Sequence, residues 1–161
     1  FMHSHGLVHR DVKPENVLVT ADGVCKLADF GMVAFVTRVD EVFKNGPGSP
    51  IFAPPEYAFR EDCDSRFDIW SLGVVLFEVA ALRVPYSGNN IPELKNRYHL
   101  MTVDYEQVRE LSRYSSSLKR AINSCLVKER TRRPFAETLK GDTWFNNALQ
   151  RAHLPVPELP G

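Results

Sequence analysis

His9-Arg10-Asp11-Val12-Lys13-Pro14-Glu15-Asn16, followed thirteen residues after Asn16 by Asp29-Phe30-Gly31, decides how this 161-residue chain is read. An acid, Asp11, stands two residues before a cation, Lys13. A neutral amide oxygen at Asn16 and a carboxylate at Asp29 follow. Between them, Val17 to Val19 and Val24 to Leu27 cluster β-branched and apolar residues around Thr20-Ala21-Asp22-Gly23. That pattern predicts a hairpin. It puts Asn16 at one edge and Asp29 at the other, so both oxygen ligands come toward one cation. A lone Asp is usually a turn cap, and Asp-Phe-Gly alone is common; the spacing carries the signal.

Working outward, the strongest helical signal lies in Asp68-Ile69-Trp70-Ser71-Leu72-Gly73 and the residues after it. Ile69, Leu72, Gly73, Leu76 and Ala80 recur at helical spacing, and Trp70, Val74, Val75, Phe77 and Val79 fill the other faces. A helix apolar nearly all round is a buried one, starting at Asp68 as its cap, with Glu78 its charged interior residue. Phe1 to Gly6 reads as a helix end running into a turn, and Leu7-Val8 as an extended piece. Met32 to Ser49 is a loop candidate ending in Asn45-Gly46-Pro47-Gly48-Ser49-Pro50. Pro54-Pro55-Glu56 leads into a short helix. Further helices are expected at 91–98, 117–126 and 135–139, while 105–111 stays unassigned. Trp144 and Phe145 are expected to dock on the core, and Pro155, Pro157 and Pro160 make the tail extended.

Composition narrows the classes. Lys plus Arg equals Asp plus Glu at 20 each, so net charge gives no prior for nucleic acid or an anionic membrane. No apolar run of about 18 residues is present, so no membrane span is expected. Cys25, Cys63 and Cys125 are scattered, with no Cys-x-x-Cys pair, which argues against a zinc or disulfide framework. A reducing compartment follows, cytoplasmic or nuclear. Lys128-Glu129-Arg130-Thr131-Arg132-Arg133 reads as a solvated turn with internal ion pairs.

An acid, a cation and two hard oxygen ligands suit phosphoryl transfer to a hydroxyl. With the Asp68 string, they make the chain resemble the C-terminal lobe of a eukaryotic protein kinase, Ser/Thr type. The resemblance implies Mg²⁺-dependent transfer of the ATP γ-phosphoryl group to protein Ser or Thr. Asp11 would orient the hydroxyl and accept its proton, and Lys13 would neutralise the transferring group. Asn16 and Asp29 would hold Mg²⁺ and the nucleotide. Leu18, with Val75 and Val79, would stack beneath adenine. The same resemblance gives His9 and Phe30 a packed column, Asp68 the backbone of the catalytic loop, and Glu56 with Arg133 a long-range ion pair. Ser49, near the substrate site, would bridge Asp11 and Lys13 by its hydroxyl, and Phe52 takes a usual Tyr position. Asn45 stands at the usual loop phosphoacceptor position, with Thr37 the alternative, so dependence on loop phosphorylation is expected to be weak.

The implied fold class is mainly α with small β-hairpins, a C-lobe fragment of a fold that is α+β when complete. Residues 1–150 would be a partial kinase domain with catalytic loop and activation segment, and 151–161 a Pro-rich tail. No Gly-rich loop or Val-Ala-x-Lys strand is visible. The expected partners are therefore an N-terminal lobe in cis or in trans and a protein substrate, with no nucleic acid and no membrane span. The alternative is a truncated pseudokinase or scaffold module that binds a protein partner without catalysis.

Overall fold

The computed structural model describes residues 1–44, 48–86, 88, 90–100 and 104–152. Asn45 and the expected extended tail beyond Ala152 lie outside the described residues. A 3₁₀ turn, His3–His5, leads into β1, Leu7–Val8. Gly6 joins them at φ 70°, and a Cβ there would collide with the carbonyl of Val36, so only glycine fits. The predicted hairpin forms: β2, Val17–Val19, pairs antiparallel with β3, Cys25–Leu27, in the register Val17↔Leu27. Gly23 takes φ 84° in its turn.

A second sheet was not foreseen. β4, Ala34–Phe35, pairs with β1 through Leu7↔Phe35 and Val8↔Ala34, inside the stretch read as loop. Two residues are too short to show an alternating pattern, and their partner lies far back in the chain. The fold class is thereby corrected. Two β-sheets stand beside the helices, and the architecture is mixed α/β rather than mainly α.

The helical body follows. α1 is Pro55–Phe59 and α2 is Arg66–Ala81, starting two residues before Asp68. Asp68 therefore sits in the first turn and is not the cap; its carboxylate is engaged elsewhere. α3, Ile91–Leu100, is capped by Asn90, whose Oδ1 accepts the Glu93 N–H at 3.0 Å. Two 3₁₀ turns fill Tyr105–Gln107 and Arg109–Leu111. α4, Ser116–Cys125, is capped by the Ser115 hydroxyl on the Leu118 N–H. α5, Ala136–Lys140, ends at Gly141, and α6, Thr143–Ala152, continues beyond the expected last helix.

The core centres on α2. Trp70, Val74 and Phe77 pack with Leu94 and Tyr98 of α3 and with Leu118 and Ile122 of α4. Each such side chain contributes about 1.5–3 kcal/mol, before conformational entropy is subtracted. Trp144 joins this cluster, and Phe145 joins a smaller one around Ile69 and Cys125. Gly73 lets α2 and α4 approach: a Cβ on it would stand 2.6 Å from Cys125 Cβ and 2.9 Å from Leu126. Among the described residues no helix is long and apolar enough to cross a membrane.

Candidate active site

The loop that carries Asp11 is held by α2. Asp68 Oδ2 accepts the His9 N–H and Oδ1 accepts the Arg10 N–H, each at 2.8 Å. His3 Nε2 adds a third contact to Oδ2 at 2.8 Å, a partner that sequence reasoning missed. Nothing local marks it, because His3 and Asp68 are 65 residues apart. The resemblance assigned Asp68 correctly to the loop backbone, whereas its reading as a cap fails. His9 is fully buried and meets the Phe30 ring edge-on at 5.3 Å, as expected of a packed column.

Two residues of the site adopt left-handed backbone without being glycine: Arg10 at φ 66° and Asp29 at φ 60°. Such conformations cost roughly 1–3 kcal/mol each and persist where surroundings enforce them. Asp68 does so for Arg10 from the backbone side. On the other side Arg10 Nε donates to the Met32 carbonyl at 2.5 Å and its guanidinium lies over the Phe43 ring, 5.7 Å from the centroid. Phe43 is itself bridged to Cys63 by paired backbone hydrogen bonds.

Asp11 is 6% exposed, and its oxygens are surrounded by donors. Lys13 Nζ lies 2.7 Å from Oδ2. Asn16 Nδ2 donates to Oδ2 at 3.1 Å and to the Asp11 carbonyl at 2.9 Å. The Ser49 N–H donates to Oδ1 at 3.1 Å. Burial pushes the Asp11 carboxyl up, but the Lys13 ammonium and the Ser49 hydrogen bonds outweigh it and hold the pKa below the ordinary carboxylate value. Its hydrogen bond to Asp11 correspondingly raises the Lys13 pKa. The expected Ser49 bridge exists, with one change. Its hydroxyl accepts from Lys13 Nζ at 2.9 Å, and its backbone N–H reaches Asp11.

Asn16 spends its amide donors on Asp11, which leaves Oδ1 as an acceptor for a cation. Asp29 is exposed just beyond β3, at the open end of the hairpin where Asn16 enters β2, with Oδ1 accepting the Gly31 N–H at 3.2 Å. The hairpin links the two through the residue before Asp29, since the Ala28 N–H donates to the Asn16 carbonyl at 2.8 Å. Two hard oxygen donors, one neutral and one anionic, fit Mg²⁺. Leu18 on β2 is 57% exposed and Val79 on α2 is 65% exposed, whereas Val75 is buried. An apolar groove is lined by Val17, Leu27, Val75 and Val79, with Leu18 outside it.

Glu56 and Arg133 form the expected pair. Both guanidinium ends bind the carboxylate, at 2.8 and 3.0 Å, with both side chains buried. The basic run is not a solvated turn throughout. Arg133 is buried there, and Arg130 pairs with the buried Asp64.

The protein kinase domain family matches residues 1–145, and the chain belongs to that family. It is similar to serine/threonine-protein kinase 4 homolog B of Dictyostelium discoideum, 30% identical over 154 residues, covering 96% of this chain and 14% of that protein. It is similar also to serine/threonine-protein kinase STE20 of Saccharomyces cerevisiae, 34% identical over 150 residues, covering 93% of this chain and 16% of that protein. Serine/threonine-protein kinase STK11 of Rattus norvegicus is 32% identical over 166 residues, covering 99% of this chain and 37% of that protein. The chain thus spans well under half the length of these relatives. The family match also corrects the expectation of a C-terminal lobe alone. The match is to the protein kinase domain, along residues 1–145, and the fold beneath it is mixed α/β. A missing N-terminal lobe is accordingly not retained as a partner.

Proposed function

We propose that the protein serves Mg²⁺-dependent transfer of the ATP γ-phosphoryl group to Ser or Thr hydroxyls of proteins. The observation that carries this is the Asp11 carboxylate held between Lys13, Asn16 and Ser49. A carboxylate so fully hydrogen-bonded is a weak base for an alcohol. Asp11 therefore orients the incoming hydroxyl and takes its proton late, once the bond to phosphorus has largely formed. Lys13, kept protonated by Asp11, presents its charge to the transferring group. Ser49 sets the spacing of the two and ties them to the segment that faces the acceptor peptide.

Asn16 Oδ1 and the Asp29 carboxylate are the groups that would hold Mg²⁺. When bound, the ion would supply positive charge that offsets that of the phosphate oxygens. Leu18, exposed on β2, is the apolar side chain we assign to adenine; Val75 and Val79, which line the groove that excludes Leu18, are not part of that surface. Similarity to relatives named serine/threonine-protein kinases supports the choice of acceptor, as does Lys13 two residues after Asp11.

A titration of the full-length protein with ATP, with and without Mg²⁺, tests this reading. Binding should tighten with Mg²⁺, and Asp29→Ala should abolish that gain. Binding that ignores Mg²⁺, or is unchanged in Asp29→Ala, would favour a protein-binding module instead.

A further inference from the structure

Residues 49–53 belong to no helix or sheet, and their N–H groups curl inward. The Phe52 and Ala53 amides both return to the Ser49 carbonyl, at 3.0 and 3.2 Å. The Pro50 carbonyl also accepts the Ala53 N–H, at 3.2 Å, whereas the carbonyls of Ile51, Phe52 and Ala53 need donors from elsewhere, and each receives one side-chain hydroxyl. Tyr86 donates to the Ile51 carbonyl at 2.9 Å, Ser71 to that of Phe52 at 2.9 Å, and Tyr98 to that of Ala53 at 2.7 Å. Ser71 comes from α2, Tyr86 from the turn beyond it and Tyr98 from α3.

The donors form one buried unit. Trp70 Nε1 donates to the Tyr86 hydroxyl at 3.0 Å. The Tyr86 and Tyr98 rings meet edge-on at 5.3 Å, and Trp70 and Tyr98 at 5.8 Å. Tyr98 is fully buried and Tyr86 nearly so. Burial pushes both phenols up, so both stay protonated donors. Ring packing alone would be served by phenylalanine; the hydroxyls add direction. At its other end the same segment touches the chemistry, through Ser49 on Asp11 and Lys13.

We propose that Tyr98, with Tyr86, is a positioning residue that fixes segment 49–53 as the platform for the acceptor peptide. It acts on peptide binding and not on nucleotide chemistry. The peptide part rests on the proposed kinase activity, whereas the hydroxyl frame does not. Tyr98→Phe in the full-length protein keeps the ring and removes one hydrogen bond. Amide exchange at Phe52 and Ala53 should quicken, and the peptide KM should rise, each roughly three- to tenfold. The kcat and the KM for ATP should stay within about twofold, and Tyr98→Trp should not rescue the peptide KM.

Unchanged exchange and unchanged peptide KM in Tyr98→Phe would overturn the proposal. So would a parallel loss in kcat and both KM values, which marks a merely structural residue. If the wild-type protein transferred no phosphate, the kinase reading would fail. The exchange rates would then still decide for or against the frame.

Discussion

Asp68 and Arg10 are 58 residues apart, yet Asp68 Oδ1 accepts the Arg10 N–H at 2.8 Å. The other carboxylate oxygen holds His9 in the same way. One side chain of the central helix thus sets the backbone that carries Asp11. Asp68→Ala would strand two N–H groups in the interior, at about 1–3 kcal/mol each. It should lower stability in urea by several kcal/mol and cut transfer further still, because the loop loses its support. Asp68→Asn keeps one acceptor oxygen and should fall between Asp68→Ala and the wild type. An Asp68→Ala protein with wild-type stability and rate would remove this part of the account.

The Glu56–Arg133 pair predicts an asymmetry. Removing one partner leaves a buried charge alone, so Glu56→Ala should destabilise by about 3–5 kcal/mol. Replacing both with apolar residues of similar volume removes the stranded charge and should recover part of that loss. Denaturant midpoints of the two single variants and the double variant measure the coupling; strict additivity would mean the pair is not coupled.

Asp11 has a pKa below its ordinary value once the raising effect of burial is offset by Lys13 and Ser49. A folded pKa below the unfolded one gives stability that is present above about pH 3.9 and is lost as pH falls through the folded value. Asp11 should therefore be ionised at neutral pH and add no limb to the rate profile between about pH 5 and 8. Lys13→Met removes the main lowering partner and should move the ionisation upward, followed by carbon NMR of the labelled carboxyl. An unmoved titration would show that Lys13 does not set it.

Gly73 predicts a packing defect. In Gly73→Ala the new methyl meets Cys125 Cβ and Leu126 across the α2–α4 contact. Alanine favours helix by about 1 kcal/mol over glycine, yet overpacking costs about 1–3 kcal/mol. A net fall in melting temperature is expected, and a rise would show that the two helices can move apart at little cost.

Much of the site was legible because its signals are short. Asp11, Lys13 and Asn16 lie within six residues of chain, and the Thr20-to-Gly23 turn announces the hairpin to Asp29. The helix around Trp70 was legible from its apolar residues, but its start was not, because Asp68 looked like a cap while serving a distant loop. Pairings that span the chain left no local trace. Neither Leu7↔Phe35 nor the Tyr98 hydroxyl on Ala53 follows any period of 2 or 3.6 residues. The resemblance supplied Glu56 with Arg133, a pair 77 residues apart that spacing alone could not nominate.

The most direct test of the central claim is single-turnover transfer from γ-labelled ATP to a Ser/Thr peptide by the full-length protein, wild type against Asp11→Asn. The variant must first be shown folded by its melting curve. Asp11→Asn should lose roughly 10²- to 10⁴-fold in the transfer rate, with ATP binding little changed. An Asp11→Asn protein that transfers phosphate at the wild-type rate would contradict it.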